Sequence, residues 1–187
     1  GQTLFDITSR VLQSLKTVLE QEQPDLVLVH GDTTTTFAAA LACFYLHIPV
    51  GHVEAGLRTY DLDAPWPEEF NRQAVGIVAR YHFAPTEQAK QNLLREGKKP
   101  ESIYVTGNTA IDALKTTVRA DFRDPVLDWA KGSRLILLTA HRRENLGEPM
   151  RAIFRAVRRI VDDIPDVKVL YPIHMNPAIR ALAQELL

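Results

Sequence analysis

The chain has 187 residues, 45% of them hydrophobic and 24% charged, a globular composition with enough apolar residues for one domain or two small ones. Its 22 basic and 23 acidic residues give a net charge of −1, which excludes a broad electrostatic attraction for nucleic acid or anionic lipid. The single cysteine, Cys43, excludes an intrachain disulfide and a zinc site of several thiolates, and its apolar neighbours indicate a buried structural thiol. No apolar run has the length of a membrane span and the first residues lack a signal-peptide core, so we expect a cytoplasmic protein with neither membrane nor nucleic acid as partner.

The first half of the chain alternates between helix and strand patterns. Apolar residues recur every three or four positions from Leu4 to Leu19 and predict a helix that ends before Pro24. Short, almost wholly apolar runs predict parallel strands that are covered on both faces. In chain order we predict a strand in DLVLVH, a helix in FAAALACFYL, a strand in IPVGHVEA, a helix over 68–78, a strand in YHFAP, a helix after Thr86 and a strand in SIYVTGN.

The alternation resumes after an irregular, charged stretch from Arg119 to Gly132. There we predict a strand in RLILLTA, a loop in HRRENLGE, a helix over 150–161 and a strand in VKVLYPI. Such a succession implies right-handed βαβ units, so we predict an α/β protein with Rossmann-like, mostly parallel sheets and helices on both faces. The composition shift that begins near Gly107 indicates a domain junction, with one domain over 1–107 and part of a second over 108–187.

Carboxylates follow the predicted strands at the edge where open parallel sheets bind their ligands. Asp32, in HGDTTTT, either caps the next helix or faces a ligand that Gly31 allows to approach. Glu54, in VEAGLR, either forms a local ion pair with Arg58 or acts as a partly desolvated general base. Glu68 and the glutamate after it, in PWPEEFNR, are stabilised by the dipole of a helix N-terminus or take part in the chemistry.

Histidines and arginines follow the distal strands. His141 and Arg142 begin HRREN, where three basic groups in a row suit phosphate recognition unless they form a solvated charge run. His174 and Asn176, in YPIHMNP, have the same two interpretations. No metal site is expected, because the histidines lack a metal-ligand spacing. The ones that we interpret as structural are His30, His47 and His82.

Seven segments resemble, in identity and order, those of the bacterial non-hydrolysing UDP-N-acetylglucosamine 2-epimerases. They are HGDTTTT, VGHVEAGLRT, PWPEEFNR, FAPTE, TGNTAIDAL, TAHRREN and YPIHMNP. The resemblance runs from the first residues to the last, and seven ordered segments are far more specific than any one of them. It implies a two-domain fold of the glycosyltransferase-B type, with the active site in the cleft between the domains.

The resemblance also implies a reaction, the interconversion of UDP-N-acetylglucosamine and UDP-N-acetylmannosamine. A base removes the C2 proton as UDP departs from C1, 2-acetamidoglucal forms, and UDP adds again after protonation on the opposite face. Because two faces of C2 exchange a proton, more than one acid/base group is needed, and carboxylates with a raised pKa can supply them. No cofactor is expected, in agreement with the lack of a G-x-G-x-x-G fingerprint.

Carried onto this sequence, the family's catalytic residues match Asp32, Glu54, Glu68 and His141. The resemblance implies that Asp32 and Glu68 transfer protons, and that Glu54 transfers a proton or orients its neighbours. His141, together with Arg142, is implied to stabilise the departing diphosphate. Which carboxylate acts on which face of C2 stays open.

The resemblance further implies binding partners. We expect a UDP-sugar substrate and a homodimer, and in some family members a second UDP-N-acetylglucosamine binds beside the substrate as an activator. The residues expected to bind substrate or activator are Gln2, Arg58, Arg142, His174 and Asn176. The activator region matches Gln2, Glu68, Arg142 and His174.

Relative to this family the chain is short. Members are roughly twice as long, more than one typical domain. Their glycine-rich first strand-turn-helix and the Ser/Gly/Glu-rich nucleotide turn of their distal domain have no counterpart here. The chain begins at Gly1 without a methionine and stops inside the helical pattern RALAQELL, so both ends look cut. We therefore expect that this chain alone does not complete the reaction.

Two other functions stay open at this point. A UDP-sugar glycosyltransferase has the same fold, because a fold does not determine a reaction, although the three carboxylates favour the epimerase. A catalytically silent domain that binds a partner or forms an oligomer through the helix over 3–20 is the alternative from another class.

Overall fold

A computed structural model describes residues 2–142 and 145–187, which divide into two compact units, Gly1–Val118 and Arg119–Leu187. The elements of the first unit are α1 (Leu4–Glu22), β1 (Val27–His30), α2 (Thr34–Tyr45), β2 (Val50–Val53), α3 (Glu68–Val78), β3 (Tyr81–Ala84), α4 (Glu87–Arg95), a 3₁₀ turn (Pro100–Ser102), β4 (Ile103–Val105) and α5 (Thr109–Thr117). Those of the second unit are α6 (Pro125–Ala130), β5 (Arg134–Leu137), α7 (Glu148–Asp163), β6 (Val167–Leu170) and α8 (Pro177–Leu186).

Both units are built on parallel sheets. In the first unit the strands lie in the order β1-β2-β3-β4, each parallel to its neighbour, with Val27 opposite Val50. In the second unit β5 is parallel to β6. This topology confirms the predicted α/β class with Rossmann-like sheets. The compact units divide after Val118, so α5 groups with the first unit. The predicted domain junction at residue 107 stays a prediction.

The main core cluster of the first unit brings α1, α2 and α3 together with β1 and β2. Alanine dominates the buried side of α2, where Ala38 and Ala40 are wholly buried, so this helix packs closely on its neighbours. Cys43 lies fully buried in the same cluster, and burial raises the pKa of its thiol. The predicted structural role of this cysteine agrees with that position, because a buried thiol is a poor nucleophile.

The second unit packs α7 against α8. Met150 and Phe154 on α7 and Ile179 and Ala183 on α8 form its buried cluster, each pair spaced four residues apart along its helix. The stretch from 119 to 132, predicted to be irregular, contains α6, a helix of 6 residues that is too short to show a period in the sequence. Among the described residues, no helix is both long and apolar enough to cross a membrane.

The backbone after β2 passes very close to α4 at Gly56. This glycine has a φ of +88°, in the left-handed region, and a Cβ added to it would lie 2.3 Å from the carbonyl oxygen of Ala89. The Asn92 side chain donates a hydrogen bond to the Gly56 carbonyl at 3.0 Å, which ties the same backbone to the helix. Only glycine satisfies both the left-handed conformation and this approach.

We predict that Gly56→Ala lowers the free energy of unfolding by about 3 kcal/mol, because strain of the left-handed backbone adds to a clash with the α4 backbone. The matched control is Gly97→Ala, since Gly97 also has a positive φ (+78°) but nothing lies within 4 Å of its added Cβ. Gly97→Ala should cost only about 1 kcal/mol. Urea unfolding of both variants measures the difference, and equal losses would contradict this account.

Two buried histidines lie side by side in the centre of the sheet. His52 on β2 is opposite His82 on β3, and the two residues are 0% and 1% exposed. The pKa of both rings is lowered from 6.5 to about 4, mainly by burial, and the charge of Lys98 contributes to this shift at His82. In the described part of the chain, neither Nδ1 atom has a hydrogen-bond partner. Both imidazoles are therefore neutral in the folded protein near pH 7.

This pair predicts a loss of stability in mild acid. The unfolded chain binds a proton at each histidine near pH 6.5, whereas the folded protein does so only near pH 4, so the free energy of unfolding falls as the pH drops between these values. We expect roughly 2 kcal/mol per histidine between pH 7 and pH 5, measured by urea unfolding. His82→Gln should halve this dependence, whereas His47→Gln, at an exposed position, should leave it unchanged. A stability that does not vary over this range would refute the prediction.

Candidate active site

The turn that connects β1 to α2 presents Asp32 at the carboxyl end of the sheet. Gly31 has a φ of +73°, and its N–H donates to the backbone of β2 at 3.0 Å. The Thr33 side chain accepts the N–H of Thr36 and thereby caps α2. The interpretation of Asp32 as the helix cap is therefore wrong, because the next residue fills that role. The carboxylate of Asp32 is left for the site.

Buried side chains from β2 and α3 hold the carbonyl groups of this turn. His52 Nε2 lies 2.8 Å from the Gly31 carbonyl oxygen and donates to it, because a carbonyl can only accept. Asn71 Nδ2 donates to the Asp32 carbonyl oxygen, also at 2.8 Å. Neither residue was singled out in the sequence. The sequence signal that could have identified His52 is its position two residues before Glu54, because alternate residues of a strand lie on the same face.

The Asp32 carboxylate is partly buried, with 31% of its side chain exposed. Burial is the largest influence on it and raises the pKa; the Arg72 guanidinium, with Nη2 at 3.4 Å from Asp32 Oδ2, acts in the opposite direction, and the charge of Glu68 raises the pKa again. The net result is a pKa above the ordinary value. A carboxyl group of this kind is suited both to take up and to release a proton.

Glu54 directly follows β2 in a strained conformation. Its φ of +67° lies in the left-handed region, which a residue other than glycine adopts at a cost of about 1–3 kcal/mol and which is common at functional sites. The next residue, Ala55, is fully buried and donates its N–H to the backbone of β3. This hydrogen bond and the burial of Ala55 fix the backbone next to the strained residue. A Cβ on Gly31 would lie 3.8 Å from Glu54 Oε2, so this carboxylate adjoins the turn that carries Asp32.

Glu68 is the first residue of α3 and is partly buried. Its charge acts on Asp32, as described above, so the two carboxylates are within electrostatic reach of each other. The structure thus brings Asp32, Glu54 and Glu68 together around the Gly31 turn, at the carboxyl ends of β1 and β2. Their individual roles stay predictions.

His30 also lies at this edge, although the sequence led us to interpret it as structural. Its side chain is 58% exposed, and Nε2 lies 3.5 Å from Glu54 Oε2 and 3.2 Å from Thr109 Oγ1. The sequence signal that could have identified His30 is its position directly before Gly31, at the end of β1. The lack of a metal-ligand spacing argues against a metal site but says nothing about a contact between His30 and Glu54.

Arg58 and Gln2 have other surroundings in the first unit. The buried Arg58 guanidinium forms two bonds to the Glu96 carboxylate, at 2.6 and 2.9 Å, and a third to the Leu57 carbonyl. The alternative of a local ion pair between Glu54 and Arg58 is therefore wrong. Gln2 is exposed and directly precedes the residue that caps α1. Substrate binding by Arg58 and Gln2 stays a prediction.

The predicted residues of the second unit lie on the loops after β5 and β6. The rings of His141 and His174 stack with centroids 5.3 Å apart and an interplanar angle of 23°. His174 Nδ1 accepts the N–H of Asn176 at 3.1 Å, so the proton of the neutral ring is on Nε2. Asn176 uses its side-chain oxygen to accept the N–H of Ala178 and caps α8. Arg142 directly follows His141 on the first of these loops.

A tyrosine that the sequence did not single out joins the two loops. Tyr171 donates its hydroxyl to the Ala140 carbonyl at 2.5 Å, and burial raises the pKa of the phenol, so the donor keeps its proton. The two stacked imidazoles on these loops suit an anionic ligand such as a phosphate. Arg143 and Glu144 of the predicted HRREN loop lie outside the described residues. Within 2–142 and 145–187, no group of three His, Cys, Asp or Glu side chains is arranged to hold a metal ion.

Comparison with known proteins identifies the family of this chain. The family model for UDP-N-acetylglucosamine 2-epimerase matches residues 1–187. The UDP-N-acetylglucosamine 2-epimerase of Bacillus subtilis is 60% identical over 184 residues, which are 98% of this chain and 48% of the relative. The crystal structure of UDP-GlcNAc 2-epimerase from Neisseria meningitidis bound to UDP-GlcNAc is 44% identical with a TM-score of 0.86, over 100% of this chain and 52% of that one.

A third relative, a Staphylococcus aureus protein in a structure with UDP, is 54% identical with a TM-score of 0.96, over 100% of this chain and 51% of its own. The chain thus spans about half the length of the relatives that it matches. The likeness agrees with the predicted Rossmann-like architecture of the glycosyltransferase-B type. Because the family model covers every residue, the chain belongs to the UDP-N-acetylglucosamine 2-epimerase family.

Proposed function

We propose that the protein carrying this chain interconverts UDP-N-acetylglucosamine and UDP-N-acetylmannosamine, and that this chain supplies the groups that move the C2 proton. The observation that carries the proposal is the gathering of Asp32, Glu54 and Glu68 around one turn at the carboxyl edge of a parallel sheet. The neisserial relative binds UDP-GlcNAc, which supports the same substrate here.

The reaction proceeds by elimination and addition. A carboxylate removes the proton from C2 while the bond from C1 to the UDP oxygen breaks, and the electron pair of the C–H bond forms the C1–C2 double bond of 2-acetamidoglucal. A carboxylic acid then protonates C2 on the other face as the UDP oxygen adds to C1. The sugar changes configuration at C2 and nothing is consumed, so no cofactor enters the balance.

Asp32 and Glu68 are the proposed proton-transfer residues. The charge of Glu68 helps to raise the pKa of Asp32, which favours a protonated Asp32 and suits a reaction that needs one base and one acid on opposite faces. Glu54 is proposed either to transfer a proton or to orient its neighbours. Its strained backbone and its contact with His30 support both roles equally.

The second unit is proposed to bind the diphosphate. His141, with Arg142, stabilises the negative charge that develops on UDP as it departs. His174 and Asn176 contribute to substrate binding, as do Gln2 and Arg58 of the first unit. Glu68 has a second proposed role: a second UDP-GlcNAc binds as an activator against Gln2, Glu68, Arg142 and His174.

Assembly and location are further parts of the proposal. The full-length protein is proposed to be a cytoplasmic homodimer. Because this chain spans about half of its relatives, turnover is proposed to need the rest of that length.

The proposal predicts that Asp32→Asn in the full-length protein lowers kcat by about 10²–10⁴-fold, because an amide cannot exchange the C2 proton. Asp25→Asn is the matched control, since Asp25 is exposed and precedes the same strand at its opposite end. NMR of UDP-GlcNAc in deuterium oxide follows both deuterium at C2 and the appearance of UDP-ManNAc. Full turnover by the Asp32 variant would remove this residue from the mechanism.

The same assay separates the epimerase from its alternatives. Transfer of the sugar to an acceptor without exchange at C2 identifies a glycosyltransferase. An absence of UDP-sugar binding by calorimetry, together with a stable oligomer by light scattering, identifies an interaction domain. Exchange at C2 with formation of UDP-ManNAc excludes both.

A second prediction concerns the departing diphosphate. His141→Gln in the full-length protein should lower kcat by roughly 10²-fold with little change in KM, because the lost donor acts on charge that develops only in the transition state. His47→Gln, at an exposed position on the first unit, is the matched control and should keep full activity. An effect of His141→Gln on KM alone would assign the ring to ground-state binding instead.

A further inference from the structure

Glu69, the neighbour of Glu68, is the most completely buried carboxylate described in the protein. Its side chain is 0% exposed and is surrounded by donors. Oε2 accepts the Thr59 N–H at 3.1 Å, and Oε1 accepts the Tyr60 N–H at 3.1 Å and the Gln73 amide at 2.8 Å. Burial by itself raises the pKa of Glu69, but the bonds from Gln73, Thr59 and Tyr60, with the charge of Arg72, outweigh it and hold the pKa low. Glu69 is therefore a fixed negative charge.

The Arg72 guanidinium lies between this fixed charge and the site. Its Nε is 3.3 Å from Glu69 Oε2 and donates to the Glu68 carbonyl at 3.4 Å, while Nη2 is 3.4 Å from Asp32 Oδ2. All three distances exceed the 2.7–2.9 Å that is typical of a tight charge-assisted bond. Only 10% of the Arg72 side chain is exposed, so its position is set by these partners rather than by solvent.

We propose that Glu69 is a positioning residue that holds Arg72 back from a tight ion pair with Asp32, and thereby keeps the Asp32 carboxyl group able to exchange a proton. An arginine that formed a bidentate pair with Asp32 would bind the ionised form so strongly that the residue could not act as an acid. Glu69 prevents this because its own carboxylate competes for the same guanidinium. The inference deepens the proposed function, since it concerns a proton-transfer residue of that reaction.

The charged groups around Asp32 determine whether each substitution raises or lowers its pKa. From α3 these groups are Arg72, Glu68 and Glu69. On the strand side, His30 and Glu54 flank the preceding glycine, and the neutral His52 lies behind it. The Glu69 charge also raises the pKa of Asp32 directly, as the smallest of the influences on it. Loss of the Glu69 charge removes this effect and the competitor for Arg72, so Arg72 acts more strongly on Asp32 and the pKa of Asp32 falls. Loss of Arg72 removes the cation, so the pKa of Asp32 rises.

The test is a carbon-13 NMR titration of the Asp32 carboxyl group in the full-length protein and its variants. We expect Glu69→Gln to weaken the proton affinity of Asp32 about tenfold, and Arg72→Gln to strengthen it about tenfold. In the double variant the effect of Glu69→Gln should shrink to less than about twofold, because Glu69 acts mainly through Arg72 and its direct effect on Asp32 is the smallest. Glu87→Gln is the matched control: it is also an acidic first-turn residue, of α4, but its side chain is 63% exposed.

The opposite effects of Glu69→Gln and Arg72→Gln on the proton affinity of Asp32 distinguish a positioning role of Glu69 from a merely structural one. If Glu69 only supported the backbone at Thr59 and Tyr60, its loss would leave the Asp32 proton affinity unchanged or would shift it in the same direction as the loss of Arg72. Either result overturns the inference. If Glu69→Gln does not fold, Arg72→Gln still decides, because an unchanged Asp32 proton affinity in that variant also overturns it.

Kinetics distinguish the failure of this inference from the failure of the proposed function. In Glu69→Gln we expect the acidic limb of the kcat pH profile to move to lower pH together with the Asp32 titration, with KM changed less than about twofold. A titration that shifts while the pH profile stays in place supports the positioning role of Glu69 and removes Asp32 from the rate-limiting proton transfer. A titration that does not shift overturns the positioning role, whatever the activity.

Discussion

The hydrogen bonds that hold the turn between β1 and α2 determine where the rest of the candidate site lies. The chain leaves β1 through a left-handed glycine, and the two carbonyl groups of the turn are bound by the buried side chains of His52 and Asn71. Because these donors are buried, a shift of the turn would leave polar groups unsatisfied in the core, which is costly. The position of Asp32 therefore depends on the packing of β2 and α3 as much as on its own strand.

The same edge of the sheet combines backbone strain with desolvation. Glu54 is held in the left-handed region, and Gly56 touches the α4 backbone so closely that no side chain fits. The hydrogen bond from Asn92 to Gly56 and the burial of Ala55 fix the position of this segment. Strain at a carboxylate persists only where the surrounding structure over-determines it, and here a helix and a neighbouring strand do so. The result is a set of carboxylates presented on a rigid support.

The two units differ in the chemistry that they offer. The first has partly buried carboxylates, of which Asp32 shares the Arg72 guanidinium with the buried Glu69, and such an environment suits proton transfer. The second has two stacked imidazoles on loops joined by Tyr171, which is the environment that an anion requires. The proposed elimination of UDP from a sugar needs both, because a proton leaves one carbon while a diphosphate leaves its neighbour.

The sequence by itself determined the alternation of strands and helices, the parallel sheets and the family, because hydrophobic period, turn residues and ordered motifs are local properties. It also directed attention to Asp32, Glu54 and Glu68, since the carboxyl ends of parallel strands meet at one edge. It did not distinguish a cap from a free carboxylate at Asp32, and it interpreted His30 as structural.

Only the tertiary structure decided those questions, because they depend on residues far apart in the chain. Thr33 caps α2, Glu96 takes the Arg58 guanidinium, and Arg72 is shared between Asp32 and Glu69. Two consecutive glutamates also proved different: Glu68 is partly exposed at the start of α3, whereas Glu69 points into the core and meets four donors. The face on which a helix packs decides which of two adjacent residues is buried, and the local sequence does not determine that face.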